Sequence, residues 1–507
     1  MLGAALIAVY AAASLALLLY GINCYVLVAL FLRRRRQNAA SSAEAIHIAE
    51  PSFDPSRRLP LVATQIPFYN EANVAERVLR AVAAIDYPRD RHEIQVLDDS
   101  DDDTRELVDR VTAELRDRGH RIAVFRRKDR AGFKAGALAA ALPQTEAEYI
   151  AIFDADFVPP PHFLRHTLPF FLSDERLGLV QARWGHLNSE VSPLTHAQAI
   201  GIDGHFMVEQ SARAFNGLFM NFNGTAGIWR RRAIEEAGGW SADTLTEDLD
   251  LSYRAQLAGW RTHYIAELVA PGELPPTLAA FKSQQFRWAK GSIQSARKLL
   301  PRILRSPAPA WTKIQAALHL THYSIHPLML AVALLAWPVM THFPVNLTRA
   351  WLPIVVAALA IVVLAPNAVY LASQRSLHRD WPWRLRWLPV LTALGIGLTV
   401  NNTHAVLEAL FGKTGEFVRT PKQGASRKRR YVSRKSAIPW IELAIGLYCA
   451  ISLASYLATG RYVIGSFLAV YAFSFFGVGV WSLMEHRGQS ETTPTAGTSL
   501  TSELARP

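Results

Sequence analysis

The sequence predicts an α/β domain on a mainly parallel sheet, inserted between transmembrane α-helices. Three observations predict it. Half of the 507 residues are apolar and mean hydropathy is slightly above zero, more than a wholly water-soluble chain carries. Apolar runs long enough to cross a membrane, about 20 residues, stand at the start of the chain and again beyond residue 313. Between them, from about residue 58 to 275, short apolar runs alternate with helical patterns, as in a sheet fed by crossover helices.

Five segments read as spans. The first ends at Leu32, directly before four arginines at 33–36. The charges follow the apolar core instead of preceding it, so a cleaved signal peptide is not expected, and the N-terminus is expected outside with residue 37 onward inside. Residues 314–340 and 351–373 form one pair of spans, and 438–458 and 463–481 another. Between the pairs the apolar run 387–400 is short for a crossing and is expected to be interfacial or re-entrant. The tail from His486 is rich in Ser, Thr, Pro and Gly and is expected to be disordered.

In chain order the expected organisation is a first span with its basic flank (1–36), the α/β domain (37–275), interface helices (276–313), two spans (314–373), an interfacial helix (387–411), a cytosolic loop (412–437), two more spans (438–484) and the tail (485–507). The two cysteines, Cys24 and Cys449, lie in apolar stretches, so no disulfide framework is available and cytosolic exposure of the α/β domain is the simpler reading. Net charge is +12, but the densest basic runs, 33–36 and 427–435, each adjoin an apolar segment. That is a topology signal, and a nucleic-acid partner is not expected.

LPLVATQIP, HEIQVLDDS, RIAVFRR, EYIAIFDAD and GLVQARW read as strands, and AERVLRAVAAI, TRELVDRVTAELRDRG and FKAGALAAAL as helices. Carboxylates gather where strands end: Asp98 and Asp99 after IQVL, Asp154 and Asp156 after YIAIF. Ligands of open α/β sheets sit at that edge. Two residues apart on an extended chain, Asp154 and Asp156 face the same way and suit one hard divalent cation; alternatively they cap the strand end. Asp98 and Asp99 open an acid run that also caps the helix TRELVDRV. RKDRAGFKAGAL is a basic, glycine-bearing loop entering a helix, where amides and Lys134 suit phosphate.

TLTEDLDLSYR reads two ways. Thr244 with Glu247 fits a capping box, or Asp248 serves as a general base at a helix start aimed into the crevice. QQFRWAKG (284–291) follows. Its Arg and amides suit a departing diphosphate and its Trp offers a sugar a flat apolar face, while Phe286 and Trp288 would equally anchor an interfacial helix.

The ordered set IPFYNE (66–71), LDDS (97–100), FKAG (133–136), DAD (154–156), TED (246–248) and QQFRW (284–288) resembles the membrane-embedded family 2 glycosyltransferases, the group of cellulose synthase and the plant mannan synthase-like enzymes. GEFVRTPK (415–422) resembles the FxVTxK gating loop of cellulose synthase, with Arg419 where that enzyme has Val. The resemblance implies a Rossmann-like GT-A fold, a UDP- or GDP-hexose donor, Mg²⁺ or Mn²⁺, and inversion at the anomeric carbon. By position it implies that Tyr69, Glu71, Asp98 and Asp99 contact the nucleoside and Lys134 its phosphates. Asp154 and Asp156 would hold the metal, Asp248 would be the base, Gln284 and Arg287 would face the diphosphate, Trp288 would lie beneath the acceptor sugar, and Phe417, Thr420 and Lys422 would form the gating loop.

His319, His322 and His326 fall on one face of the expected second span, as a sugar path, a zinc cluster or interhelical hydrogen bonds. Asn367, Tyr370, Tyr448, Tyr456 and Tyr471 are candidates to continue a path. Three functions stay open: a processive synthase that extends a β-linked glucose or mannose polymer onto a glycan acceptor and exports it, a glycosyltransferase adding one sugar to a lipid, as in glucosylceramide synthase-like enzymes, and a non-catalytic membrane scaffold. Membrane lipids are an expected partner and a bacterial inner (plasma) membrane the expected location.

Overall fold

The structure, a computed structural model, describes residues 2–49, 59–342, 352–412, 437–460 and 462–490. The gating-loop residues Phe417, Thr420 and Lys422, and the tail from residue 491, lie outside the described residues.

The chain opens with α1 (Leu2–Ala49). Seven strands follow: β1 (Val62–Phe68), β2 (His92–Asp98), β3 (Arg121–Phe125), β4 (Tyr149–Ile152), β5 (Leu177–His186), β6 (Gly227–Arg230) and β7 (Arg261–Gly272). They form one sheet in the order β3-β2-β1-β4-β6-β5-β7, in which every neighbouring pair is parallel except the two made by β6. The first five match the expected strands. The last two carried too weak a pattern to read: GIWR is short and runs straight into a helix, and RTHYIAELVAPG mixes His and Glu with its apolar residues.

Helices cover both faces, which is why β1 is buried almost throughout. On one side, α2 (Ala72–Ala83) buries Val74, Ala75, Val78, Leu79 and Val82 at helical spacing, and α3 (Thr104–Asp117) buries Val108, Val111 and Leu115. These meet Val62 and Ile66. On the other side α4 (Phe133–Ala141) sets Ala137, Leu138 and Ala141 against Ala63 and Leu97. Alternate residues of β1 thus serve opposite cores.

Next come α5 (Phe163–Ser173), then α6 (Pro193–Asp203), which runs without a break into a π-helical turn, Gly204–Gln210, and α7 (Ser211–Ala214). After α8 (Arg231–Glu236) and α9 (Glu247–Leu257), the long α10 (Leu278–Arg305) carries QQFRW. The rest is helical: α11 (Ala310–Leu320), α12 (Ile325–His342), α13 (Leu352–Leu377), α14 (Trp381–Arg384), α15 (Leu388–Gly397), α16 (Thr399–Leu410), α17 (Ile438–Ala458) and α18 (Tyr462–Ser490).

Among the described residues four segments are long and apolar enough to cross a membrane: Gly3–Arg34, His322–Val339, Ile438–Ala458 and Phe467–Glu485. A helix pair bent by 41°, Trp381–Gly397 with Thr399–Leu410, is a broken span or a re-entrant loop. These helices fit a membrane protein. The expected continuous helix at 314–340 is instead two, α11 and α12, joined by a 3₁₀ turn at His322–Ser324. Pro327 explains the break, because its ring excludes the carbonyl four residues back, that of Tyr323. Thr321 Oγ1 meanwhile donates to Ala317 O at 2.6 Å, and Tyr20 OH from α1 donates to the Thr321 carbonyl at 3.1 Å.

Candidate active site

The carboxyl ends of β1, β4, β5 and β7 open on a cavity of about 220 Å³, closed from the far side by α9 and α10. Tyr69, Glu71, Asp99, Lys134, Asp154, Asp156, Asp248, Gln284, Arg287 and Trp288 all line it. Ten of the expected positions are therefore brought to one place from six separate stretches of sequence.

The loop after β1 is fixed to the loop after β2 through Asn70. Its φ of 55° is unusual for a residue with a side chain. The Asn70 amide donates to Ser100 Oγ at 2.9 Å, its Nδ2 donates to Asp101 Oδ1 at 2.7 Å, and its Oδ1 accepts from the Asp101 amide at 3.0 Å. This holds Tyr69 and Glu71 at the rim. The Arg130 guanidinium lies 3.1 Å from the centre of the Tyr69 ring, a cation–π stack on the cavity wall. Asp99 is paired with Arg127 at 2.5 Å.

Lys134 sits at the middle. Its Nζ lies 2.5 Å from Asp154 Oδ1, donates to Gly224 O at 2.7 Å and stands 3.9 Å from Glu247. Burial works against its charge, but Asp154, Glu247 and Asp248 outweigh burial and raise its pKa. On the facing wall, burial and then the charge of Glu247 push the Asp248 carboxyl up to about 7, with Lys134 opposing. Burial also raises Glu247. Asp248 Oδ1 accepts from the amide of Leu249 at 2.8 Å, which fixes the carboxylate at the first turn of α9.

That turn is not a capping box. Helix α9 starts at Glu247, so Thr246 stands at its N-cap, and Thr244 Oγ1 is buried without a hydrogen-bond partner among the described residues. The helix start is set from outside, by α10: the Leu245 amide donates to Gln294 Oε1 at 2.9 Å, and Thr246 meets Ser295 at 3.2 Å. Gly291 makes this possible, because an added Cβ there would lie 2.5 Å from Thr246 Cγ2. On α10, Gln284, Arg287 and Trp288 face the cavity, and Gln284 Oε1 is buried with no hydrogen-bond partner among the described residues. Phe286 and Trp288 also pack with Ala405, Val406 and Ala409 of α16, an intramolecular contact in place of the bare interfacial anchor.

Asp98 departs from expectation. It is not among the cavity-lining residues. Its side chain is fully buried, accepting from Arg126 Nε at 2.9 Å and from the Ser100 amide at 3.1 Å, which makes it a brace between the loops after β2 and β3. The histidines do not share one helical face, because α11 and α12 are separate. His319 Nδ1 meets Tyr253 OH at 2.7 Å, His322 Nδ1 meets His319 O at 2.8 Å, and His326 Nε2 meets Asn402 Nδ2 at 2.9 Å. Tyr448 and Tyr456 donate to the carbonyls of Leu334 and Ala336 at 2.6 and 2.9 Å, tying α17 to α12, and Tyr370 packs on Gly204. These contacts hold helices together.

Sequence reasoning missed Arg130, His186 and the Asn223–Gly224 corner and named Glu247 only for a capping box, yet all of these line the cavity. Gly224 had no local motif to mark it, and only the fold brings it beside Asp248. Among the described residues no group of three or more His, Cys, Asp or Glu side chains is placed to hold a metal ion. Asp154 and Asp156 are hard oxygen donors on the cavity wall, so they fit a cation such as magnesium or manganese that takes its other ligands from a diphosphate and water and shares Asp154 with the Lys134 ammonium.

A family described as "Glycosyltransferase like family 2" matches residues 60–291. Glucomannan 4-beta-mannosyltransferase 1 of Oryza sativa subsp. japonica is 34% identical over 412 residues, 80% of this chain and 77% of that protein. The chain belongs to the family 2 glycosyltransferases. Probable glucomannan 4-beta-mannosyltransferase 3 of Arabidopsis thaliana is 33% identical over 92% of this glycosyltransferase and 85% of its own length. A mannosyltransferase from Pyrobaculum calidifontis, solved in complex with GDP-Man and Mn²⁺, shares 22% identity at a TM-score of 0.46, covering 76% of this chain and 100% of that one. The glycosyltransferase has the GT-A arrangement, with its matched segment spanning β1 to the middle of α10.

Proposed function

We propose that this hexosyltransferase moves mannose from a UDP- or GDP-linked donor to the growing end of a β-linked glycan, with inversion at the anomeric carbon. The observation that carries the reading is the meeting, in one cavity, of the Lys134–Asp154 pair, the Asp248 carboxylate and the Gln284–Arg287–Trp288 face of α10. Mannose in preference to glucose is supported by the relatives, whose names assign them 4-beta-mannosyl transfer.

Tyr69, Glu71 and Asp99 lie on the β1–β2 side of the cavity and take the nucleoside. Lys134, Gln284 and Arg287 surround the diphosphate and offset the charge that grows on it as the sugar leaves. Asp154 and Asp156 would hold Mg²⁺ or Mn²⁺, which when bound supplies further neutralisation of the diphosphate. Asp248 takes the proton of the acceptor hydroxyl. With its pKa pushed to about 7 it is both substantially ionised and basic at neutral pH. Trp288 gives the acceptor sugar a flat apolar face. Attack opposite the leaving group converts an α-linked donor into a β-glycoside.

The arginines at 33–36 after the first span support an outside N-terminus and a cytosolic catalytic domain. Export through the helices is supported by polar groups leading away from Trp288: Tyr323 OH donates to Gln285 Oε1 at 3.3 Å, the His322 ring lies 4.1 Å from the Tyr323 ring at a tilt of 43°, and His326 pairs with Asn402. Polar groups at that depth are costly unless they face a bundle interior or an aqueous path.

Asp248→Asn is expected to bind donor nucleotide as the parent does and to transfer about 100- to 10,000-fold more slowly. Near-normal turnover would remove Asp248 from the role of base.

A further inference from the structure

Asp203 is a buried charge that the transfer step does not use. It ends α6, is 2% exposed, and is met by donors from two other elements. Oδ1 accepts from His186 Nε2 at 3.0 Å, and Oδ2 accepts from Gln374 Nε2 at 2.8 Å and faces His378 Nε2 at 3.4 Å. Burial alone would raise this carboxyl, but the hydrogen bonds from His186, His378 and Gln374 outweigh it and hold the pKa well below the usual carboxylate range. The group is therefore an ionised, acceptor-only carboxylate.

That state dictates the state of His186. Its Nε2 must carry hydrogen to meet the carboxylate, so in the neutral ring Nδ1 is an acceptor. His186 is the last residue of β5 and lines the cavity, and among the described residues its Nδ1 has no hydrogen-bond partner. The strand order gives its place. Tyr69 and Asp99 stand at the β1–β2 end, Asp154 and Asp156 follow β4, and His186 lies beyond them at the β5–β7 end, on the side left for sugar.

The other half of the aspartate belongs to a membrane-side helix. Gln374 is fully buried on α13, and one turn earlier Tyr370 presses on Gly204, where an added Cβ would lie 2.9 Å from its ring. Helix α13 is thus locked to the fold at the residue that orients His186.

We propose that Asp203 is a positioning residue through which α13 fixes His186, so that His186 Nδ1 accepts a hydrogen bond from a sugar hydroxyl in the cavity. This rests on the glycosyl-transfer reading of the same cavity. Asp203→Asn retains the shape but brings an amide that can donate to Nε2, which would move the ring hydrogen to Nδ1 and remove the acceptor.

The test uses the full-length enzyme in nanodiscs, with radiolabelled GDP-mannose and UDP-glucose offered separately. His186→Ala is expected to lower kcat/KM about 10- to 100-fold with GDP and UDP binding and thermal midpoint unchanged, and Asp203→Asn to fall by a similar factor. The double variant is expected to be no worse than either single one, because the two residues act as a unit. His186→Ala with parental kcat/KM, or losses that multiply in the double variant, would overturn the proposal. An Asp203→Asn protein that unfolds while His186→Ala works normally would also overturn it, leaving Asp203 a structural brace. Asp248→Asn serves as the control: if it too transfers normally, the reading of the cavity fails, whereas an inactive Asp248→Asn beside a normal His186→Ala sinks the positioning role alone.

Discussion

Gly224 has φ +81°, and an added Cβ there would lie 2.9 Å from Asp248 Oδ2 and 3.3 Å from Lys134 Nζ. Both the backbone angle and the space exclude a side chain, so the corner after Asn223 sets how closely base and lysine approach. Its carbonyl also accepts from Lys134, which places the ammonium against Asp154. Gly224→Ala is expected to cut kcat about 100-fold, the scale of a misplacement of about 1 Å at a reacting centre, while leaving nucleotide binding near parental. Steady-state kinetics alongside calorimetric binding of GDP and UDP checks this, and an unchanged kcat would show that the corner is not in contact with the base. At this scale the sequence was legible where residue type and spacing mark a position, as at Asp154, Asp156 and Asp248, all of which line the cavity. It was silent where a residue matters through what the fold lays beside it, as at Gly224 and His186. Asp98 shows a related limit: local spacing does not distinguish a carboxylate that lines the cavity from one turned onto Arg126.

The element that organises the site is α10. Its first turn is held by Glu485 of α18, whose carboxylate accepts from the amides of Leu278 and Ala279 at 2.9 and 3.1 Å, a negative group at a helix N-terminus. One turn on, Lys282 reaches Glu442 of α17 at 2.7 Å and Ser482 of α18 at 2.8 Å, and Lys290 reaches Glu408 of α16 at 2.8 Å. Between these fixed points stand Gln284, Arg287 and Trp288. The cluster of polar groups in QQFRWAKG is thus divided between cavity and clamp. Its period was readable, but the partners lie more than a hundred residues away in sequence and were not. Glu442 is fully buried and Lys282 is 11% exposed, so Glu442→Leu leaves a cation without its partner and is expected to destabilise by about 3–5 kcal/mol. Lys282→Met combined with Glu442→Leu should recover much of that loss. Thermal unfolding in detergent measures both, and a double variant no more stable than Glu442→Leu would show that the pair acts through something other than its charge.

At the scale of the whole molecule, a mainly parallel sheet with both faces covered holds two neutral histidines, His92 buried and His263 partly buried. Burial, helped at His92 by the charge of His120, lowers His92 to about 4, and burial lowers His263 to about 4 as well. His92 meets Thr64 at 2.8 Å across β1 and β2, and His263 stacks on Phe170 at 4.2 Å. An unfolded chain takes up these protons near pH 6.5 and the folded one does not until near pH 4. Their contribution to stability is therefore whole above about pH 6.5 and is lost as pH falls toward 4, on the order of 3 kcal/mol for each. His263→Phe is expected to flatten the fall in thermal midpoint between pH 7 and 5, and an unchanged slope would place the acid sensitivity elsewhere. The overall architecture was legible because it follows from alternating apolar patterns and span lengths. The break between α11 and α12 was not, since a continuous apolar run conceals the effect of Pro327. That break also divides the expected histidine face, which now reads as separate ties to Tyr253, to the His319 carbonyl and to Asn402.

The central claim is transfer of a hexose into a β-linked polymer. The measurement that tests it most directly is product analysis with the purified full-length protein in nanodiscs and Mg²⁺ or Mn²⁺, given radiolabelled GDP-mannose and UDP-glucose separately, with lipid and aqueous fractions resolved. The expected result is a high-molecular-weight product from the mannose donor that β-mannanase digests. Label confined to a lipid bearing one sugar would contradict polymer synthesis.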